Sequence, residues 1–244
     1  MLATSPCKLR GLSFGPGTLK SEKQSRPMIK FVLFDLDGTL VDTAPDLAAA
    51  ANKLRTDRAL EPLSFNALRP LTGRGATTLV KAALGIAPDE ASFPALRAEF
   101  LRNYEERVAV DSKPFPGITT VLEHLRDTGV RTAVVTNKQT VYAKEILRTL
   151  SLDNYFDAII GSDTPGSAMK PAPDGIRLAM AQLDASQKET LYVGDTASDI
   201  EASYRAGIRC LLARWDSSAA VLPVPAEAQY LAKEPSDVLS FLTL

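Results

Sequence analysis

Short apolar runs alternate with segments of helical period from Met28 onward, and this alternation most constrains the fold. The apolar runs are rich in β-branched and aromatic residues, as expected for strands that are buried on both faces of a sheet. Strands that alternate with helices predict an α/β protein with a parallel sheet. The predicted strands are Phe31–Phe34, Val130–Val135, Ala158–Ile160, Leu191–Val193 and Ile208–Leu212.

The stretch between the first and second predicted strands, about residues 44–114, has helical patterns but no convincing strand. One helix is predicted to begin at Pro45 and another near Pro94, because proline is favoured in the first turn of a helix. Pro114 and Gly117 then predict a stiff hinge back to the sheet. We therefore expect an inserted helical subdomain at residues 44–114 and a core made of residues 28–43 and 115–244.

Residues 1–27 differ from the rest of the chain, since glycine and proline interrupt every periodicity and basic residues outnumber acidic ones. This composition predicts a tail that is disordered or not part of the native protein. A transit-peptide interpretation remains open, because the segment is basic and contains serine. No stretch of the sequence has the roughly 18 apolar residues that a transmembrane helix needs, so no membrane contact is predicted.

The balance of charges and the scarcity of cysteine and histidine exclude several functions. Lys and Arg number 28 and Asp and Glu 29, which gives a net charge of −1, so no overall field attracts nucleic acid or an anionic membrane. Cys7 and Cys210 are predicted to be free thiols in a reducing, cytoplasmic environment. The single histidine, His124, falls on the polar side of a predicted helix. Histidine metal clusters and Ser-His-Asp triads are thus excluded, and any catalysis must rest on carboxylates.

Two carboxylates, Asp35 and Asp37, directly follow the first predicted strand. Ligands of open α/β sheets bind beyond the carboxyl ends of the strands, so both residues stand where a site is expected. A divalent cation such as Mg²⁺ would relieve their repulsion, and one carboxylate could attack covalently while the other transfers a proton. An ordinary acidic turn, with Gly38 at positive φ, is the alternative interpretation.

The ends of the other predicted strands favour a site over a turn. Thr136 and Asn137 follow the second strand and offer hydrogen bonds to phosphate oxygens, while Lys170 offers a cation in a later loop. Asp195 and Asp199 follow the fourth strand. Each fragment alone could be a helix cap, a solvated charge or a first-turn acid. Four such fragments in this order predict a carboxylate-based site.

These four fragments resemble motifs one to four of the haloacid dehalogenase superfamily, over a match from about Met28 to the region of Leu212. The resemblance implies a Rossmann-like parallel sheet core with helices on both faces and an inserted helical cap. It also implies an Mg²⁺-dependent phosphatase that acts on a small phosphorylated metabolite through an aspartyl-phosphate. Asp37 favours a phosphatase over a dehalogenase, because an alkoxide leaving group must be protonated.

The same resemblance implies a role for each motif residue. Asp35 would be the nucleophile, Asp37 the general acid and then base, and Lys170 the cation that offsets the negative charge. The implied metal ligands are Asp35, Asp195 and the backbone carbonyl of Asp37, with Asp199 in support, and the implied phosphate-binding residues are Gly38, Thr39, Thr136, Asn137 and Lys170.

Within the superfamily, the stretch Leu68–Val80 resembles the cap of phosphoglycolate phosphatases. Arg74 is the candidate for binding a substrate carboxylate through a bidentate pair, although it could equally be a surface cation. The stretch Ala213–Asp216 departs from that subfamily, which usually has glycine and tyrosine there.

The resemblance most favours 2-phosphoglycolate as the substrate and leaves other activities open. N-acetylmuramic acid 6-phosphate, pyrophosphate and sugar phosphates are alternative substrates, and a mutase uses the same nucleophile. A phospholigand sensor without catalysis is the alternative of a different class. The sequence is compatible with either a monomer or a homodimer.

Overall fold

The computed structural model describes residues 28–216 and 230–242 of the chain. The strands are β1 (Phe31–Phe34), β2 (Val41–Asp42), β3 (Lys113–Pro114), β4 (Arg131–Val135), β5 (Ala158–Ile160), β6 (Thr190–Gly194), β7 (Arg209–Ala213) and β8 (Tyr230–Ala232). The helices are α1 (Ala44–Thr56), α2 (Phe65–Thr72), α3 (Gly75–Leu84), α4 (Phe93–Glu105), α5 (Ile118–Asp127), α6 (Thr140–Thr149), α7 (Asp174–Leu183), α8 (Ala197–Ala206) and α9 (Asp237–Ser240).

A parallel sheet in the order β5-β4-β1-β6-β7-β8 forms the centre of the protein. Successive residues of β1 point to opposite faces: Val32 and Phe34 join one hydrophobic cluster and Leu33 joins another. Helices α5 and α6 cover the first face and α7 and α8 the second. The predicted α/β core, with helices on both faces of a parallel sheet, is therefore confirmed.

The chain between β2 and β3 is helical and has its own hydrophobic cluster, in which Leu54, Leu68 and Phe100 are buried. Helices α1 to α4 make up this unit. Its two ends are joined, because β2 pairs antiparallel with β3. Neither of these two-residue strands was predicted from the sequence, and β3 lies inside the stretch that was expected to be purely helical.

Asp46 strengthens the junction between the start and the end of this helical unit. It lies in the first turn of α1, where an acid is favoured by the helix dipole. Its buried carboxylate also accepts hydrogen bonds from the N–H groups of Asp111 (3.0 Å) and Ser112 (2.9 Å), just before β3. The entry and the exit of the helical unit are thus fixed to each other.

The carboxyl ends of β4, β1 and β6 meet at one edge of the sheet. The registers pair Phe34 of β1 with Val134 of β4 and with Val193 of β6. The N–H of Asp35 donates to the carbonyl of Val193 (2.8 Å), so the first residue after β1 is held beside the end of β6. Each of the four fragments singled out in the sequence follows one of these ends or lies in a loop beside it.

Some predictions concern residues away from this edge. The tail at residues 1–27, including Cys7, lies outside the described residues. Cys210 is a free thiol, as predicted, and burial raises its pKa to about 12, so it is not a reactive thiolate at neutral pH. His124 is exposed on α5. Within residues 28–216 and 230–242, no helix combines the length and the apolar character needed to cross a membrane.

Candidate active site

Asp35 lies at the carboxyl end of β1 and is only 7% exposed. Its Oδ1 accepts a hydrogen bond from the N–H of Leu36 (2.8 Å) and lies 2.9 Å from the ammonium nitrogen of Lys170. Burial raises the pKa of Asp35 to about 6, because it outweighs the attraction of Lys170, and the neighbouring Asp199 and Asp37 add to the rise. No hydrogen bond among the described residues uses Oδ2, so that oxygen is left for a ligand.

Asp195 and Asp199 complete an acidic cluster with Asp35. Each of the three places one carboxylate oxygen within 4.8 Å of the others. The pKa of Asp195 is well above its usual range, because the group is buried and because Asp199 and Asp35 repel its negative charge. Hard oxygen ligands crowded in this way suit a divalent cation.

The individual oxygens divide these carboxylates into two kinds. Oδ1 of Asp195 accepts from the Thr39 hydroxyl (3.0 Å), and no bond in the described part of the chain uses its Oδ2. Both oxygens of Asp199 are taken: Oδ2 closes a capping box with Thr196 at the start of α8, and Oδ1 accepts from Lys170 (2.6 Å). Asp35 and Asp195 therefore each offer a free oxygen to a cation, whereas Asp199 fits a supporting position.

Lys170 is buried between the carboxylates of Asp35 and Asp199. Its ammonium also donates to the Tyr192 hydroxyl (3.0 Å), which in turn donates to the carbonyl of Val135 (2.7 Å). Burial lowers the pKa of Lys170, but the two carboxylates outweigh it and raise the value above that of a free lysine. Lys170 is thus a fixed, charged group beside Asp35, as expected from the sequence.

Thr136 and Asn137 follow β4 and have different partners. Thr136 is held by its N–H, which donates to the Ile160 carbonyl (2.9 Å), and its hydroxyl accepts from the N–H of Lys138 (3.2 Å). The Asn137 side chain is occupied by Lys170, since it accepts from the backbone N–H (2.7 Å) and donates to the backbone carbonyl (3.2 Å). Its amide therefore orients the Lys170 loop, a contact that the sequence analysis did not foresee.

Gly38 and Thr39 form the loop after Asp37. The N–H of Gly38 donates to the Val41 carbonyl (3.0 Å) and the N–H of Thr39 to the Leu36 carbonyl (3.4 Å), so the loop itself occupies the donors that were expected to cradle phosphate. Gly38 instead allows the Asp195 carboxylate to lie close to the backbone of this loop. Its φ is +81°, and a Cβ there would lie 2.5 Å from Oδ2 of Asp195.

Asp37 is held on both sides. Its Oδ1 accepts from the Thr43 hydroxyl, and its Oδ2 lies 3.0 Å from the ammonium of Lys138. That ammonium also lies 4.7 Å from the ring centre of Tyr104, which comes from α4 of the helical unit. No role for Lys138 was predicted from the sequence, because a lysine that follows two polar residues resembles any solvated loop charge.

The predicted specificity residue, Arg74, is exposed at the junction of α2 and α3. Another arginine of the helical unit reaches the core: Arg69 of α2 pairs with Asp42 of β2 (2.9 Å) and with Asp216 after β7 (3.0 Å). Next to Asp216, the Trp215 indole donates to the Thr39 carbonyl (2.9 Å). The stretch that departs from the subfamily thus contacts both the helical unit and the loop after Asp37.

Comparison with known proteins decides the family. The sequence profile of the haloacid dehalogenase-like hydrolases matches residues 32–213. The chain belongs to this family. It is 38% identical to a phosphoglycolate phosphatase of Caulobacter vibrioides over 180 residues, and the aligned region covers 72% of this chain and 76% of the relative. It is 35% identical over 190 residues to an N-acetylmuramic acid 6-phosphate phosphatase of Pseudomonas aeruginosa, covering 78% and 84%.

A solved structure agrees with these relatives. The crystal structure of a predicted phosphoglycolate phosphatase from Haemophilus somnus superposes with a TM-score of 0.75 at 28% identity, covering 87% of this chain and 97% of the other. The predicted family, a phosphoglycolate phosphatase-like member of the haloacid dehalogenase-like hydrolases, is confirmed. The prediction of a phosphatase-type enzyme is confirmed with it.

Proposed function

We propose that this hydrolase is an Mg²⁺-dependent phosphomonoesterase that works through an aspartyl-phosphate, with 2-phosphoglycolate as its substrate. The observation that carries the proposal is the environment of Asp35 and Asp37. Asp35 is buried against Lys170, and one of its oxygens has no partner in the described part of the chain. Asp37, two residues further on, is held by Thr43 and Lys138. A nucleophile and a proton-transfer group therefore stand side by side at the end of β1.

The first half of the reaction forms a bond between one carboxylate oxygen of Asp35 and phosphorus. The ester P–O bond breaks, its electron pair goes to the leaving oxygen, and that oxygen takes a proton from the Asp37 carboxyl. In the second half, water attacks phosphorus while the Asp37 carboxylate accepts its proton. The bond to Asp35 then breaks, which releases phosphate and restores the Asp35 carboxylate and the Asp37 carboxyl.

The remaining polar residues would stabilise the phosphoryl group in transit. Its equatorial oxygens carry negative charge, so a fixed cation and hydrogen-bond donors lower the barrier. Lys170 supplies the cation, and Thr136 supplies a hydroxyl beside the end of β4. Asn137 contributes through Lys170, whose backbone it holds on both sides.

The acidic cluster fits Mg²⁺, which when bound offsets the negative charge of the phosphoryl group and of the buried carboxylates. Asp195 would hold the ion through its free oxygen and Asp35 through the carboxylate oxygen that does not attack phosphorus, and the backbone carbonyl of Asp37 remains an expected ligand. Asp199 would act from a distance, because Lys170 and Thr196 occupy its oxygens. The choice of Mg²⁺ rests on the all-oxygen donor set.

Residues 44–114 would act as the cap of this site, over a core of residues 28–43 and 115–244. Support comes from contacts between the helical unit and the core near the site, among them Tyr104 with Lys138 and Arg69 with Asp216. A cap that closes over Asp35 would exclude water and select the substrate. Arg74 stays our candidate for the substrate carboxylate, although its exposed position means that it must turn towards the site. The free thiol of Cys210 is consistent with action in the cytoplasm.

The choice of 2-phosphoglycolate is supported by several relatives that carry the name phosphoglycolate phosphatase. N-acetylmuramic acid 6-phosphate is the second candidate, because a relative with that activity is nearly as similar. The test is phosphate release by the full chain with Mg²⁺, with these two esters, pyrophosphate and sugar phosphates compared at equal concentration. The highest kcat/KM should be that for 2-phosphoglycolate, and a clear preference for another ester would refute the substrate.

The covalent mechanism has a separate test. Asp35→Asn should abolish phosphate release, and brief exposure of the wild type to substrate should add one phosphoryl group to the peptide that contains Asp35. Asp127→Asn serves as the matched control, because Asp127 is an exposed aspartate of α5. Turnover by Asp35→Asn at the wild-type rate would contradict the mechanism.

A further inference from the structure

Lys138 is a buried cation that takes no part in the bond changes of the mechanism above. Its side chain is only 7% exposed, although it lies in the loop between β4 and α6. Burial lowers its pKa, but Asp37 and Tyr104 outweigh that effect and raise it above the value of a free lysine. Burying a lysine costs free energy unless it is paired, so its two contacts explain why it is held there.

The first contact is with the Asp37 carboxyl group. Oδ2 of Asp37 lies 3.0 Å from the ammonium nitrogen, while Oδ1 accepts from the Thr43 hydroxyl. The Asp37 side chain is 21% exposed, so without a partner on the Oδ2 side it could turn towards solvent. The two contacts together fix the plane of the carboxyl group.

The second contact is with the helical unit. The Lys138 ammonium faces the ring of Tyr104 on α4, at 4.7 Å from the ring centre, which is a favourable distance for a cation and an aromatic face. Tyr104 also packs edge-on against Tyr142 of α6, with ring centres 5.6 Å apart. Lys138 is therefore held between the proton-transfer group of the core and an aromatic side chain of the proposed cap.

We propose that Lys138 is a positioning residue that holds Asp37 in line with the leaving oxygen. The role rests on the proposed phosphatase function. The ammonium at Oδ2 and the Thr43 hydroxyl at Oδ1 keep the carboxyl group in one orientation, and proton transfer to the leaving oxygen depends on that orientation. The Tyr104 ring keeps the ammonium in place when α4 is seated on the core.

The leaving group provides the test, because only a poor leaving group needs a proton. We would measure kcat/KM for an alkyl phosphate that the wild type hydrolyses, 2-phosphoglycolate being the first choice, and for p-nitrophenyl phosphate, whose anion leaves without protonation. Lys138→Met should lower kcat/KM for the alkyl ester by about 10²-fold, within the range of general acid catalysis, and for the aryl ester by less than about 5-fold. Lys138→Arg should recover part of the loss, since it restores a cation.

Two further variants keep the test decisive. Lys138→Gln, which retains a hydrogen-bond donor without the charge, takes the place of Lys138→Met if that variant does not fold. Tyr104→Leu should show the same selective loss on a smaller scale, whereas Tyr104→Phe, which keeps the ring, should stay near the wild type. Lys53→Met removes an exposed lysine of α1 and is the matched control.

The outcomes separate this role from the proposed function. Equal losses for the alkyl and aryl esters, or no loss for either, would overturn the role of Lys138 while the wild-type enzyme still released phosphate. If the wild type hydrolysed no phosphate ester at all, the proposed function would fall and the role of Lys138 with it.

Discussion

Replacing Asp35 by asparagine should abolish activity and yet stabilise the metal-free protein at neutral pH. Asp35 is buried, and its pKa rises from 3.8 to about 6 in the folded chain. That difference corresponds to about 3 kcal/mol, which the folded state loses when Asp35 ionises. Asparagine has nearly the same shape and no charge, so Asp35→Asn should recover about this free energy. For a chain of this size the gain corresponds to roughly 6–12 °C in Tm.

The stabilisation depends on pH with a definite sign. Below about pH 3.8 Asp35 is protonated in the folded and unfolded states alike, so it carries no charge that could lower the free energy of unfolding. As the pH rises from 3.8 towards 6, the unfolded state loses its proton first, and the wild type becomes progressively less stable than Asp35→Asn. Above about pH 6 the difference in the free energy of unfolding should be constant.

Thermal and urea unfolding in EDTA would measure the effect from pH 4 to pH 8, with Asp127→Asn as the exposed control. Adding Mg²⁺ should reduce the difference in the free energy of unfolding between Asp35→Asn and the wild type, because an ion that binds only the folded wild type stabilises it. A variant that is less stable than the wild type at pH 7.5 in EDTA would refute the reasoning. So would a stability difference that does not change between pH 4 and pH 7.

Three further predictions concern the metal, the loop after Asp37 and the helical unit. EDTA should stop phosphate release and Mg²⁺ should restore it, and full activity in EDTA would contradict the metal assignment. Gly38→Ala should lower kcat at least about 10-fold, because the added Cβ would lie 2.5 Å from Oδ2 of Asp195. The same variant should lower the free energy of unfolding in urea by about 1–3 kcal/mol. Arg69→Met should lower the free energy of unfolding by about 1–3 kcal/mol, since it leaves the largely buried Asp216 without this partner. Arg148→Met breaks an exposed pair and should leave the free energy of unfolding nearly unchanged.

The sequence predicts most of the sheet because strands buried on both faces are apolar throughout. Five strands of the parallel sheet lie within two residues of their predicted limits. β8 was missed, since Leu231 at its centre is exposed and the strand has only three residues. β2 and β3 were missed for a similar reason: two residues carry no periodicity, and their pairing joins positions far apart in the chain.

At the site, the sequence predicts the residues that directly follow strand ends. It does not predict those that lie within a strand or in the helical unit and reach the site only in the folded protein. Asp35, Lys170 and Asp195 could be foreseen because parallel strands bring their carboxyl ends to one edge. Tyr192 was missed, since a tyrosine within an apolar strand resembles a core residue, and only the fold places its hydroxyl on Lys170. The contact of Lys138 with the ring of Tyr104 crosses between the core and the helical unit, so no local pattern could indicate it.

The pairing of β2 with β3 makes the helical unit a self-contained insertion. The chain leaves the core and returns to it through adjacent strands, and Asp46 ties the two crossings together just beyond the pair. Any segment whose ends lie as close as those of a hairpin can be accommodated there without disturbing the register of the large sheet. We therefore expect residues between Thr43 and Ser112 to be exchangeable as a module between members of the family, which would alter the proposed substrate preference while the proposed chemistry at Asp35 is retained.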